Sequence, residues 1–288
     1  MMLGVKQQWL FVILGSIFSY AAQAVTFSSQ LDNTRWQLEA SKFSCRLSQE
    51  IPTFGRAVFE HEAGEAVRFQ LQPIEKVHFT QGAELFAEAA PWQPGLSPWR
   101  IGSVKQDGQG KLDVRSEYAQ NMLAALSKGM MPTFTSAGWY GTDESLRVAV
   151  SAVNFQTAYS DYVNCTSDLL PVNFRQVART AILFPAAQTQ LSDASRERLR
   201  LIALYVQNDN SVKSLYIDGH SDNLGRRLLN RDLSKQRAEA VTDYLVSLGI
   251  SSDIITTRYH GERYPVVKNN SAENRTRNRR VTIRLERE

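Results

Sequence analysis

Two residues near the middle of the second half of the chain carry opposite charges at a spacing that could do recognition chemistry. They are Asp222, in the stretch Ile217 to Gly225, and Arg237, in the stretch Asn230 to Ala238. The surroundings read as strand, loop and helix. Leu215 and Ile217 alternate with polar neighbours, and Gly219 and Gly225 bracket the loop. Ser234 suits an N-cap. Ala238, Val241, Tyr244, Leu245 and Leu248 make an apolar helical face, and Gly249 fits the position just past its end. On this reading Lys235 and Arg237 fall in the first turn, where the helix dipole disfavours cations, so an arginine there beside free backbone N–H groups makes an anion site. With Asp222 facing it, the pair suits a zwitterion bearing an amine and a carboxylate. The plain alternative is an Asp222–Arg237 structural ion pair.

The elements that must position these residues follow in order. Ala181–Phe184 is a strand, Ser195–Asn208 a helix with Leu199, Ile202, Ala203 and Val206 on one face, 214–218 a strand and 234–248 a helix. Ile254–Tyr259 and Arg280–Leu285 are further strands. The order β-α-β-α-β-β predicts a two-layer α/β sandwich. Asn269 to Asn278 reads as a polar, arginine-rich surface loop or a flap over the site.

These residues carry a resemblance. Gly219-His220-Ser221-Asp222-x-x-Gly225, Asn230-x-x-Leu233-Ser234-x-x-Arg237-Ala238 and Asn278-Arg279-Arg280-Val281 resemble the OmpA-like peptidoglycan-binding family, from about Val172 to Leu285. The resemblance implies that Asp222 and Arg237 grip the free end of diaminopimelate in the peptidoglycan stem peptide. It also implies that Asn230 and Arg279 help line the pocket. Ser221 stands where the family usually has threonine. Phe184-Pro185-Ala186-Ala187 stands where many members have Phe-Asp-x-Asn, so a contact from position 187 is expected to be missing.

The chain begins with Lys6, an apolar run from Trp9 to Phe18 and the small-residue site Ala22-Gln23-Ala24. Together these predict a secretory signal peptide over residues 1–24, with Val25 the first mature residue; an uncleaved anchor is the alternative. No later run is long enough for a membrane span, so a periplasmic location is expected.

Charge divides the rest. Residues 171–288 hold 20 basic and 13 acidic side chains, net +7, while residues 25–170 hold 12 and 16, net −4. An exported chain without a nucleic-acid-binding motif points away from nucleic acid, and a basic face suits an anionic wall polymer. The two cysteines, Cys45 and Cys165, lie in the first division. In an oxidising compartment they most simply form one disulfide, with free thiols or a metal site as alternatives. Two domains are expected, 25–170 and 171–288.

The first reads mostly as strands: 57–60, 67–71, 76–79, 146–150 and the run after it, with one helix at Ser116–Lys128 ended by Gly129. A small barrel or sandwich is predicted, which makes the whole chain a multi-domain α+β protein. Trp92, Trp99, Trp139 and Tyr140 read as core or edge aromatics, or else as a partner-binding patch.

A second resemblance covers nearly the whole mature chain. Cys45-Arg46-Leu47, Ile51-Pro52-x-Phe54-Gly55-x-Ala57-Val58-Phe59, Pro91-Trp92-x-Pro94-Gly95, Lys128-Gly129 with Pro132-Thr133-Phe134, and Cys165 followed by Asp168-Leu169-Leu170 resemble the MotY family of flagellar proteins. The resemblance implies a periplasmic T-ring component. Its first domain would attach to the flagellar basal body and a MotX-like partner, its second to peptidoglycan, helping to hold stator units. The weighed alternatives are a general envelope-anchoring protein and a wall hydrolase. The hydrolase would use Asp222 with a second carboxylate, or a metal on His220, Asp222 and His260. The sequence holds no HExxH, no G-x-S-x-G and no catalytic cysteine context, and His220 reads as a hydrogen-bonding loop residue. No enzymatic activity, cofactor or metal is expected.

Overall fold

A computed structural model describes residues 24–75, 79, 82–108, 110–137 and 145–288. The expected signal peptide, most of the expected strand 76–79, and Trp139 and Tyr140 lie outside the described residues. In chain order the first half forms β1 (Val25–Ser28), β2 (Trp36–Ala40), β3 (Ser44–Ile51), β4 (Gly55–Glu62), β5 (Arg68–Pro73), β6 (Ala83–Glu88), β7 (Trp99–Val104), β8 (Leu112–Val114), α1 (Ser116–Ser127), β9 (Met131–Ser136), β10 (Leu146–Ala149) and α2 (Phe155–Ser167).

The strands form two five-stranded sheets, ordered β1-β10-β9-β6-β7 and β2-β3-β4-β5-β8. Period-two patterning dictates which faces meet. Cys45, Leu47, Phe59, Phe69 and Leu71 of one sheet are buried with Leu85, Phe134, Leu146 and Val148 of the other. Phe69 and Phe134 stack across the gap with centroids 5.7 Å apart. This is the sandwich alternative. Among the described residues the barrel is not closed: a bridge from Gln106 to Leu112 links the segment after β7 to β8, and the sheets remain two.

The helix expected at 116–128 is α1, burying Met122, Ala125 and Leu126. The run after Val150 is corrected from strand to helix. Asn154 adopts a left-handed backbone (φ 58°) that ends the extended segment, and Phe155, Tyr162 and Cys165, seven and three apart, form the buried stripe of α2. Cys45 of β3 and Cys165 of α2 are joined in a disulfide, Cα to Cα 6.1 Å, the bond expected from the sequence.

The second half forms α3 (Phe174–Val177), β11 (Arg179–Leu183), α4 (Asp193–Asn208), β12 (Val212–Gly219), α5 (Arg227–Ser247), β13 (Ile255–Tyr259), α6 (Ala272–Asn278) and β14 (Arg280–Arg287). The sheet order is β11-β14-β12-β13, with β12 and β13 parallel and β14 antiparallel to both neighbours. Leu215 and Ile217, with Val281, Ile283 and Leu285, face Leu199, Ile202 and Ala203 of α4 and Ala238, Val241 and Leu245 of α5. This is the two-layer α/β sandwich expected.

Two boundaries differ. Helix α5 begins seven residues before the expected start at Ser234, because Arg227–Leu233 contains neither glycine nor proline to stop it. The Ser234 hydroxyl donates to the Arg231 carbonyl at 2.7 Å, a bond made inside a helix rather than at its cap. The expected loop 269–278 contains α6. Ser271 caps it by accepting from the Asn274 N–H at 3.1 Å; Glu273 lies in its first turn and Arg275 and Arg277 in its last, each at the favourable dipole end.

The halves touch. Phe43 and Ala63 of the first half pack with the second apolar cluster, Arg175 pairs with Glu62 and Glu65, and Lys42 bonds Asn208. Among the described residues no helix is long and apolar enough to cross a membrane.

Candidate functional site

The site starts where β12 ends. A Cβ on Gly219 would lie 2.1 Å from the Ser234 carbonyl oxygen, so only glycine lets the strand end directly beneath α5. The next two residues are pinned by backbone bonds, His220 N–H to the Arg280 carbonyl and Ser221 N–H to the Gly261 carbonyl, both 2.9 Å. Asp222 is thereby fixed in the lining of a cleft of about 420 Å³. Its Oδ1 accepts from the Leu224 N–H at 3.1 Å, a turn closed by the side chain. Its Oδ2 accepts from Arg279 Nη1 at 2.8 Å.

Arg279 sits between α6 and β14. Its other two nitrogens also donate, Nε to the Phe184 carbonyl at 3.1 Å and Nη2 to Thr276 Oγ1 at 2.7 Å, which leaves a second N–H on each Nη for a ligand. Asn230, on the second turn of α5, lines the same cleft and donates to Glu262 at 2.7 Å. Three of the four residues singled out in the sequence therefore meet in one cleft.

Arg237 does not line the cleft, and it is not at a helix start. It lies inside α5, is fully buried, and spans to the 185–188 loop, donating from Nε to the Gln188 carbonyl at 2.8 Å and from Nη2 to the Pro185 carbonyl at 2.9 Å. Its guanidinium lies over the Phe184 ring, 5.3 Å from the centroid, and Nη1 is buried without a hydrogen-bond partner among the described residues. Burial, reinforced by the nearby Arg279 charge, pushes its pKa down to about 10, while Asp222 acts in the other direction. The alternative reading, an Asp222–Arg237 structural ion pair, is not what forms: Asp222 pairs with Arg279 instead.

Part of the cleft wall is apolar. Ala186 and Ala187 line it, and Ala187 holds a left-handed backbone (φ 51°) that residues other than glycine and asparagine rarely adopt. Sequence reading also missed three contributors. Leu224 and Leu229, both well exposed, rim the cleft, and spacing gave no sign of them because they belong to no core. Asn278 is fully buried and bonds both the Val266 N–H (2.9 Å) and the Val267 carbonyl (2.8 Å), holding the strand-to-helix connection behind Arg279. Its signal was its place beside Arg279 in the motif.

His220, Asp222 and His260 do not converge on one point. The two imidazoles are tilted 30° to each other with centroids 5.2 Å apart, and His260 bonds Asp218 at 2.7 Å, whose carboxylate also takes a two-point contact from Arg258. Burial pushes the His220 pKa down to about 4, helped by the Arg280 and His260 charges, and its Nδ1 has no hydrogen-bond partner among the described residues. Among the described residues no group of three His, Cys, Asp or Glu side chains is arranged to hold a metal.

The arrangement offers a ligand amine the Asp222 carboxylate and a ligand carboxylate the Arg279 guanidinium, beside an amide and an apolar wall. Comparison with known proteins places this site in context. Residues 27–171 match the family model for the MotY N-terminal domain, and residues 183–279, which hold all four residues, match the OmpA family. The sodium-type flagellar protein MotY of Vibrio parahaemolyticus is 30% identical over 270 residues, 93% of this chain and 92% of that protein. The peptidoglycan-binding protein ArfA of Mycobacterium tuberculosis is 45% identical over 67 residues, 23% of this chain and 21% of that one. Among solved structures, the C-terminal domain of Helicobacter pylori MotB aligns at 22% identity with a TM-score of 0.36, over 38% of this chain and 85% of that one.

Proposed function

The chain belongs to the MotY family of flagellar proteins, and we propose that it is a non-catalytic periplasmic anchor that ties the flagellar basal body to peptidoglycan. The observation that carries the wall-binding half is the cleft in the OmpA-family segment, where Asp222, Arg279 and Asn230 converge. In this reading the free end of diaminopimelate enters the cleft, its amine meeting Asp222 and its carboxylate meeting Arg279. Arg237 supports both from beneath, its buried charge and unpartnered Nη1 adding attraction for the ligand carboxylate.

Residues 25–170 and 171–288 are proposed as two units with divided labour. The first, sandwich-built and disulfide-closed, attaches to the basal body and a MotX-like partner as part of the T ring. The second grips the wall, and together they help recruit and hold stator units. The support is the 30% identity along 93% of the chain, which spans both halves. The exposed Trp92 and Trp99 are candidate contacts for the partner.

Deleting the gene and restoring it as wild type or as Asp222→Asn tests the reading. Loss of swimming with normal cell shape, restored by wild type but not by Asp222→Asn, is the expected result. Blebbing cells with intact swimming would instead favour a general envelope anchor.

A further inference from the structure

On the far side of α5 from the diaminopimelate cleft lies a second pocket of about 390 Å³. Three arginines converge on it from two segments, Arg227 and Arg231 from α5 and Arg263 from the loop after β13. None of the three makes an ion pair among the described residues. Arg227 and Arg231 stand four apart on one helix, a spacing at which like charges repel. Arg231 is held over the Tyr259 ring, 4.8 Å from its centroid, which orients the guanidinium by its face and leaves its N–H edges for a ligand. Glu262 also lines the pocket, its Oε2 accepting from Asn230 Nδ2 at 2.7 Å, so one negative charge there stands against three positive ones.

The two pockets are mechanically joined. Asn230 lines the first, Glu262 lines the second, and their hydrogen bond forms the shared wall. Gly261 keeps that wall thin: with φ at 59° and a Cβ that would lie 3.2 Å from Arg231 Cα, it lets the loop lie directly on the helix.

We propose that this pocket binds a second carboxylate of the same stem peptide, so that the wall is gripped at two points across α5. The proposal rests on the diaminopimelate reading of the first cleft. A stem peptide carries carboxylates besides the zwitterionic end, and three guanidiniums that outnumber the Glu262 carboxylate in one pocket match such an anion in charge and in fork geometry. Two linked contacts on one ligand also raise affinity over either alone.

Calorimetric titration of the full chain with two probes tests this: free meso-diaminopimelate, which carries only the zwitterionic ends, and a disaccharide-tripeptide muropeptide, which carries the further carboxylate. In the variant R227Q/R231Q/R263Q all three changes fall on exposed side chains. It is expected to bind free diaminopimelate within about twofold of wild type and the muropeptide about tenfold or more weakly, the scale of one lost charge-assisted contact. The control R179Q/K213Q/R284Q removes the same charge from strands β11, β12 and β14 and is expected to bind both probes as wild type does. Equal muropeptide affinity in wild type and R227Q/R231Q/R263Q would overturn the second pocket alone, as would equal losses on both probes or a matching loss in the control. A wild-type protein that binds neither probe would overturn the first cleft with it.

Discussion

Arg279 Nη1 lies 2.8 Å from Asp222 Oδ2, with the two side chains 13% and 9% exposed. The pair is nearly dry, so removing either member leaves a buried charge without its partner. Asp222→Ala and Arg279→Ala are each expected to lose diaminopimelate binding and to lower unfolding stability by about 3–5 kcal/mol. Replacing both should cost less stability than the sum of the two. Denaturant unfolding of the two single variants and the double variant checks this; strictly additive losses would mean the pair is not coupled.

Arg237 is expected to act on the 185–188 loop. Arg237→Lys keeps a cation but cannot reproduce both carbonyl bonds of a guanidinium fork. Amide exchange should accelerate in residues 186–190 while the β12 and β14 core stays protected. Unchanged exchange would show that the bonds to Pro185 and Gln188 are not what orders that loop.

Ala187 should tolerate, and gain from, a residue suited to its left-handed backbone. Ala187→Gly is expected to be neutral or up to about 1 kcal/mol stabilising, because a Cβ in this conformation costs about 1–2 kcal/mol and glycine's greater chain entropy offsets part of the gain. Ala187→Asn should do the same and add a polar group to the cleft wall. A lower melting temperature for both would contradict the assigned backbone.

Stability should depend on pH through His220. Its pKa is near 4 in the folded protein and about 6.5 in an unfolded chain, so the unfolded state binds the extra proton between those values. Stability from this group is therefore fully present above pH 6.5 and declines as pH falls towards 4. His220→Gln should flatten the slope in that window; an identical slope would remove His220 as its source.

The disulfide closes the first half's fold between β3 and α2. Unreduced, denatured mature protein should show no labelled thiol. Cys45→Ser/Cys165→Ser should lose at most about 4–5 kcal/mol, the chain-entropy figure for a loop of this length.

Much of this was legible in the residue pattern. The strand alternation at Leu215 and Ile217 and the helical stripe from Ala238 to Leu245 set the second half's layers, and the motifs named Asp222, Asn230 and Arg279. What the pattern missed has physical causes. Ser234 has the chemistry of a cap, but its hydroxyl found partners inside the helix and at the Gly261 N–H, so α5 ran back to Arg227 and Arg237 moved from an exposed helix start into the interior. Helix α6 carries almost no apolar residue, so periodicity could not reveal it; its cap and charge placement could have. The choice of Arg279 over Arg237 as the hydrogen-bonding partner of Asp222 depends on how β14 packs against β12, a tertiary register that spacing does not encode.

The central claim is that the Asp222–Arg279 cleft recognises the diaminopimelate end of the wall, and co-sedimentation with purified sacculi tests it most directly. The protein should pellet with diaminopimelate-type sacculi and be released by free diaminopimelate. It should fail to pellet with lysine-type sacculi, which lack the second carboxylate, and Asp222→Asn should stay in the supernatant with its fold intact by circular dichroism. Equal pelleting with both sacculus types, insensitive to free diaminopimelate and to Asp222→Asn, would contradict the account.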